Sequence, residues 1–193
     1  MAEVPRTTAH PMLTASTLPD FGKGHEALIK QLKHTASHIA IHIDGFHAAS
    51  PGGTVSVTDT GAPVLDYPLD EFFWKTARFA QTKLAEIGFA AGATKVATFH
   101  EPPQIMTKVE GIDALPWRTG SVGIFSAHQM GGCAMGDDPK TSVVRSEDLR
   151  HHDVKNLYVI DGSVFPTALG VNPQESIYGL ARLMARRLAT TTA

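Results

Sequence analysis

Two residues in the last third of this sequence have the types and settings that proton chemistry asks for. His128 lies in the glycine-rich stretch Ser126-Ala127-His128-Gln129-Met130-Gly131-Gly132-Cys133-Ala134-Met135-Gly136, and Asn172 lies in Gly170-Val171-Asn172-Pro173-Gln174. A histidine in such a turn is exposed and able to reorient. Imidazole exchanges its proton near neutral pH, so it suits the removal of a proton from a bound substrate. Asparagine followed by proline reads as a helix start: Pro173 is pre-set for the first helical position, Asn172 is a favoured cap, and Glu175 brings negative charge into the first turn. A helix beginning there offers free backbone N–H groups and a partial positive charge to whatever lies in front of it. Between the two anchors, Asn156-Leu157-Tyr158-Val159-Ile160-Asp161-Gly162-Ser163 is an apolar run ending in acid, glycine and hydroxyl. It reads as a buried strand that delivers polar groups to a site at its carboxyl end.

Each of these residues also has a plainer reading. His128 alone could be a turn histidine satisfied by backbone, Asn172 could be a helix cap and nothing more, and Asp161 could cap the end of a strand. Cys133 has no activating neighbour and reads as a small packed residue beside the turn rather than a nucleophile. The ten histidines raise the question of a metal, with His38, His42 and Asp44 on one strand face and His47 just beyond. A solvated or substrate-facing strand explains them as well, and no metal site is assigned. His151-His152 sits in a charged run with Glu147, Asp148, Arg150 and Asp153, which reads as an exposed loop.

The elements that must position these groups follow from pattern. At 193 residues, with 42% hydrophobic content, the chain can bury a real core. A net charge of -2 without a basic cluster excludes a nucleic-acid surface as the main role. A single cysteine, Cys133, excludes a disulfide framework and fits a reducing compartment. Residues 1–14 lack an apolar core behind a basic region, so neither signal peptide nor membrane span is expected, and the chain reads as soluble and cytoplasmic.

Residues 1–22 read as irregular lead-in, and Leu28, Ile29 and Leu32 recur at helical spacing within 25–36. Residues 38–44 alternate as a strand. Residues 54–58 and 64–69 form a hairpin about Asp59-Thr60-Gly61-Ala62-Pro63. Asp70 caps a helix over 71–90, with Phe72, Phe73, Phe79, Leu84 and Ile87 as buried candidates and Gly92 as its stop. A strand over 95–99 ends at Pro102-Pro103. Residues 101–125, with Trp117, read as a loop near a site. The last helix starts at Pro173 and runs to about residue 190, with Ile177, Leu180, Ala181, Met184 and Leu188 facing the core. This order predicts an α+β fold, a mostly antiparallel sheet with helices on one side, followed by a C-terminal strand and helix.

The blocks around His128, Gly131-Gly132-Cys133 and Met135-Gly136, then Ser142-Val143-Val144, then Asn156-Leu157-Tyr158-Val159 with Asp161-Gly162-Ser163-Val164-Phe165-Pro166-Thr167, then Gly170-Val171-Asn172-Pro173 agree in order and spacing with one pattern. The segment resembles the C-terminal region of the glucose-methanol-choline (GMC) flavin oxidoreductases, nearest the branch with sterol oxidases and long-chain alcohol oxidases. The resemblance implies that His128 is the catalytic base and Asn172 the second catalytic group. It implies that Asp161, Gly162 and Ser163 touch FAD, and that Asn172, Pro173 and Gln174 at the start of the last helix face the flavin's pyrimidine edge. It further implies a substrate-binding (cap) portion over 1–127 and, over 128–193, a catalytic segment completing a Rossmann-like FAD domain. The reaction it implies is oxidation of an alcohol CH–OH group by hydride transfer to flavin N5.

The G-x-G-x-x-G fingerprint that holds the pyrophosphate of FAD is absent from all 193 residues. Three readings therefore stand side by side: the C-terminal half of a longer flavoenzyme, a separate subunit completed by a fingerprint-bearing partner, and a non-catalytic binding module of the same fold.

Overall fold

Local sequence signals set most of the element boundaries in the computed structural model, which describes residues 2–3, 12, 15–16, 18, 20–43, 48 and 52–191. In chain order the elements are β1 (Ala2–Glu3), α1 (Gly22–Lys30), β2 (Ile39–Ala40), β3 (Thr54–Val57), β4 (Pro63–Asp66), α2 (Glu71–Ala90), β5 (Val96–Ala97), β6 (Ile105–Met106) and α3 (Gln174–Thr191), with short 3-10 turns at Leu32–His34 and Gly162–Val164. The fold is α+β, as the pattern predicts. Among the described residues the strands form three two-stranded antiparallel sheets, β1-β2, β3-β4 and β5-β6, rather than one larger sheet. The chain divides into two compact units, one of residues 1–42 and 69–125, the other of 43–68 and 126–193.

In the first unit, the Asp70 carboxylate accepts from Phe73 N at 2.8 Å and fixes the start of α2. The helix ends where Gly92 takes a φ of 93°, a conformation that glycine adopts without penalty. Its packed stripe centres on Trp74 and Ala85, which join Ile112 and Trp117 in the core. Phe79 and Ile87, expected to be buried, are instead exposed. At about 100° per residue both stand roughly 140° around the helix from Trp74, outside the stripe that packs. Both indoles satisfy their N–H groups on backbone, Trp74 on Leu69 O at 3.2 Å and Trp117 on Ile112 O at 3.1 Å. The loop over 101–125 thus supplies core residues. Among the described residues of the alternating stretch over 38–44, strand pairing covers Ile39–Ala40, and Asp44 and His47 lie outside the described residues.

In the second unit, β3 and β4 close through Thr58 N to Ala62 O at 2.9 Å, with Gly61 at a φ of 81° in the turn. Val144, Leu149, Val164 and Met184 form the core, with Leu180 and Ile160 packed against it. Met184 and Leu180 come from α3 at the spacing the sequence predicts. The stretch 156–161 is not a strand. Asn156 takes a φ of 62°, and the run after it makes a single bridge, Tyr158 to Arg150. Asparagine is among the few residues that adopt a left-handed backbone readily, and that kink interrupts ladder pairing.

Candidate functional site

The turn after His128 is built against the turn after Asp161. Cys133 N donates to Ser163 O at 3.0 Å, and Met135 N donates to Val164 O at 2.8 Å. Gly131 has a φ of 86°, which swings the chain toward the carbonyl of Pro166. The second turn is fixed from within, because Asp161 Oδ1 accepts from both Ser163 N at 2.8 Å and Ser163 Oγ at 2.5 Å. Gly162 closes the arrangement. A Cβ there would meet Ile177 Cδ1 at 3.0 Å and Gln129 O at 3.4 Å, so this glycine lets the Asp161 turn lie between the His128 turn and the first turns of α3.

Of the site residues read from sequence, Gly162 and Ser163 are thus tied to the turn after His128, and Gly162 packs on Ile177 of α3. His128 is half-buried, and beside it the Gln129 amide donates to Ser126 O at 2.7 Å. Asp161 is exposed, while Gly162 and Ser163 are half-buried. Asn172 is exposed and Pro173 buried, and Ile177 N bonds to Pro173 O at 2.9 Å, which starts the helix where Asn-Pro predicts. Gln174 is exposed and its amide donates to Tyr178 OH at 2.5 Å. The N–H groups of the first helical turn have no carbonyl four residues back within the helix, so the exposed face of Gln174, Glu175 and Ser176 carries donors and partial positive charge. Cys133 is half-buried beside the turn.

Sequence reasoning missed a clasp in the segment between the two turns. Ser142 Oγ donates to Asp138 O at 2.6 Å and lies 2.9 Å from His152 Nε2. A hydroxyl has one proton and a carbonyl can only accept, so His152 Nε2 must carry the hydrogen in the second bond. The polarity is the reverse of a serine nucleophile facing its base. His152 and His151 are half-buried rather than parts of an exposed loop. Their neighbours explain this: Val144 bridges to His151 and His152 N bonds to Val143 O at 3.3 Å, which draws the charged run onto the core.

In the same run, burial pushes the Asp148 carboxyl up, but the hydrogen bonds from Arg145 and from Arg150 N outweigh it and hold Asp148 below its ordinary value. Among the described residues no group of three or more His, Cys, Asp or Glu side chains is placed to hold a metal ion. Nor is any helix among them long and apolar enough to cross a membrane.

With this geometry in place, comparison with known proteins is specific. The family model described as GMC oxidoreductase matches residues 49–181. A long-chain-alcohol oxidase of Arabidopsis thaliana is 34% identical over 128 residues, covering 61% of this chain and 18% of that protein. A cholesterol oxidase of Acinetobacter baumannii is 49% identical over 57 residues, 30% of this chain and 10% of that protein. A gluconate 2-dehydrogenase flavoprotein of Pantoea cypripedii is 40% identical over 63 residues, 33% of this chain and 10% of that protein. The matched region thus spans less than a fifth of each of these relatives.

Proposed function

The chain belongs to the GMC oxidoreductase family, and on that premise we propose that it supplies the proton-accepting wall of an FAD-dependent alcohol oxidoreductase. The observation that supports this is the pair of backbone bonds from the turn after His128 to Ser163 and Val164, with Gly162 packed on Ile177 of α3. His128 is half-buried and precedes a turn held by two backbone bonds. It takes the hydroxyl proton of a small-molecule alcohol, while Asn172, at the exposed head of α3, holds the substrate oxygen. Residues 1–127 contribute a substrate-binding wall, and 128–193 complete a Rossmann-like FAD domain.

The residues present fit one end of an FAD. Asp161 uses Oδ1 within its own turn, which leaves Oδ2 of this exposed carboxylate to accept from a ribityl or ribose hydroxyl. Ser163 shares that turn and Gly162 keeps it close to α3. The N–H groups at the start of α3, around Asn172, Pro173 and Gln174, suit a ring edge that gains negative charge. FAD, when bound, supplies the hydride acceptor at N5. The pyrophosphate is a different matter, since no G-x-G-x-x-G stands in these 193 residues. A fingerprint-bearing polypeptide, upstream or separate, completes the site.

The test is reconstitution. Purified alone, the chain is expected to be colourless and inactive toward primary alcohols and sterols. A yellow preparation that reduces a dye when alcohol is added would sink the requirement for a second polypeptide. Together with a fingerprint-bearing polypeptide it is expected to gain alcohol-dependent activity, which His128→Ala lowers by about 10²–10⁴-fold. Activity unchanged in that variant would remove His128 as the base. The absent fingerprint also favours a second reading, a catalytically inactive module of the same fold, which persistent inactivity of the reconstituted pair would support.

A further inference from the structure

Residues 126–132 carry the proposed base, and among the described residues they make no backbone–backbone hydrogen bond. The bonds to the Asp161 turn begin only at Cys133. Unpaired backbone keeps several conformations open to each residue, and a base that wanders among them meets its proton in few of them. One side chain limits this freedom. The Gln129 amide nitrogen donates to Ser126 O at 2.7 Å, which closes a short loop with Ala127 and His128 inside it. A carbonyl only accepts, so the nitrogen end of the amide is the end that faces Ser126. The backbone of Gln129 is located as well, its carbonyl 3.4 Å from where a Cβ on Gly162 would stand. Gln129 thus rests its main chain beside the Asp161 turn and reaches back past His128 in sequence to Ser126.

We propose that Gln129 is the positioning residue for His128: its amide bond to Ser126 fixes the backbone from which the imidazole reaches an alcohol. This rests on the proposed function, in which His128 is the base. Gln129 is exposed, so burial does not call for an amide of this length there, whereas the bond to Ser126 does. A glutamate would set a carboxylate against the Ser126 carbonyl, two acceptors facing each other, and a methionine would offer no donor. A lysine keeps a long stem and N–H donors, so it can restore the bond. The effect falls on the chemical step. Misplacing a catalytic group by about 1 Å costs up to about 10²-fold in rate, and the rest of the substrate is held as before.

The experiment compares the wild-type chain with Gln129→Met, Gln129→Glu and Gln129→Lys. Backbone amide NMR relaxation on the full chain should give order parameters of about 0.85 at Ala127 and His128 in the wild type and in Gln129→Lys, and values below about 0.6 in the other two. Thermal unfolding should stay near the wild-type temperature in all of them, because the bond lies at the surface. Equal order in the four proteins, or a loosening in Gln129→Lys as large as in Gln129→Met, overturns the inference. In the reconstituted enzyme, Gln129→Met should lower kcat by about 10–100-fold at unchanged KM, and Gln129→Lys should regain most of it. A raised KM at unchanged kcat overturns the positioning role, since only uniform substrate binding would have been lost. Full activity in His128→Ala defeats the proposed function, whereas full kcat in Gln129→Met beside an inactive His128→Ala defeats this inference alone.

Discussion

The Cys133 N–H donates to the Ser163 carbonyl at 3.0 Å, and this bond, repeated from Met135 to Val164 at 2.8 Å, ties the turn after His128 to the turn after Asp161. Each turn alone is a short glycine-containing loop with many accessible conformations. Joined, they restrict each other, so substitutions in one turn should be felt by the other.

Gly162 is the point of closest approach, with the position of a Cβ 3.0 Å from Ile177 Cδ1. Its backbone is not left-handed, so the difficulty is steric. Gly162→Val should lower stability by about 1–3 kcal/mol, the usual range for overpacking. Gly131→Ala should lower it by about 1–2 kcal/mol through backbone strain at a φ of 86°. Thermal melts of the two variants check both values, and a Gly162→Val melt at the wild-type temperature would contradict the packing described.

Asp161 accepts two bonds from Ser163, which makes it a local cap whatever else it does. Asp161→Ala should cost about 1 kcal/mol of stability in denaturant titration. Ser163→Ala keeps the backbone donor and removes only the hydroxyl, so its loss should be the smaller of the two.

Leu149 adopts a left-handed backbone, φ 57°, while its side chain is fully buried with Val144, Val164 and Met184. Backbone strain there amounts to about 1–2 kcal/mol, whereas removing a buried leucine side chain costs about 2–5 kcal/mol. Burial wins. Leu149→Gly relieves that strain while losing one buried carbon more than Leu149→Ala, about 0.8 kcal/mol, so it should still be destabilised but by less than Leu149→Ala. The two denaturation midpoints test this order.

His100 is 1% exposed, with Nδ1 bonded to Thr98 Oγ1 at 3.0 Å, its ring edge-on to Trp117, and Nε2 buried without a partner. Burial lowers its pKa below the ordinary value of 6.5. The neutral ring is therefore the one that favours the folded state, and the unfolded chain binds the extra proton. The stabilising contribution should be complete above pH 6.5 and should decline as the pH falls through the lowered folded value. Melting temperature measured from pH 7.5 down to 5 should fall, and His100→Phe, which cannot take up a proton, should flatten that slope.

Much of this arrangement was legible in the sequence because it is local. Asp70 capping the helix over 71–90, the hairpin around Gly61, Pro173 opening the last helix and Met184 on its core face all follow from side chains acting within a few residues of themselves. The blocks around His128 and Asn172 identified the family for the same reason, since their order and spacing are properties of the chain. The run from Asn156 to Asp161 was different. Its apolar residues satisfy the pattern of a buried strand, but strand pairing needs a neighbour. The left-handed backbone at Asn156 limits the pairing to a single bridge, Tyr158 with Arg150.

The clasp of Ser142 on His152, the burial of His100 and the seating of Gly162 against Ile177 belong to the same class. Each joins residues whose meeting depends on how whole segments pack. A sequence fixes which groups can donate, accept or fill space. Which of them meet, and which proton each meeting leaves in place, is set only when the tertiary structure brings the segments together.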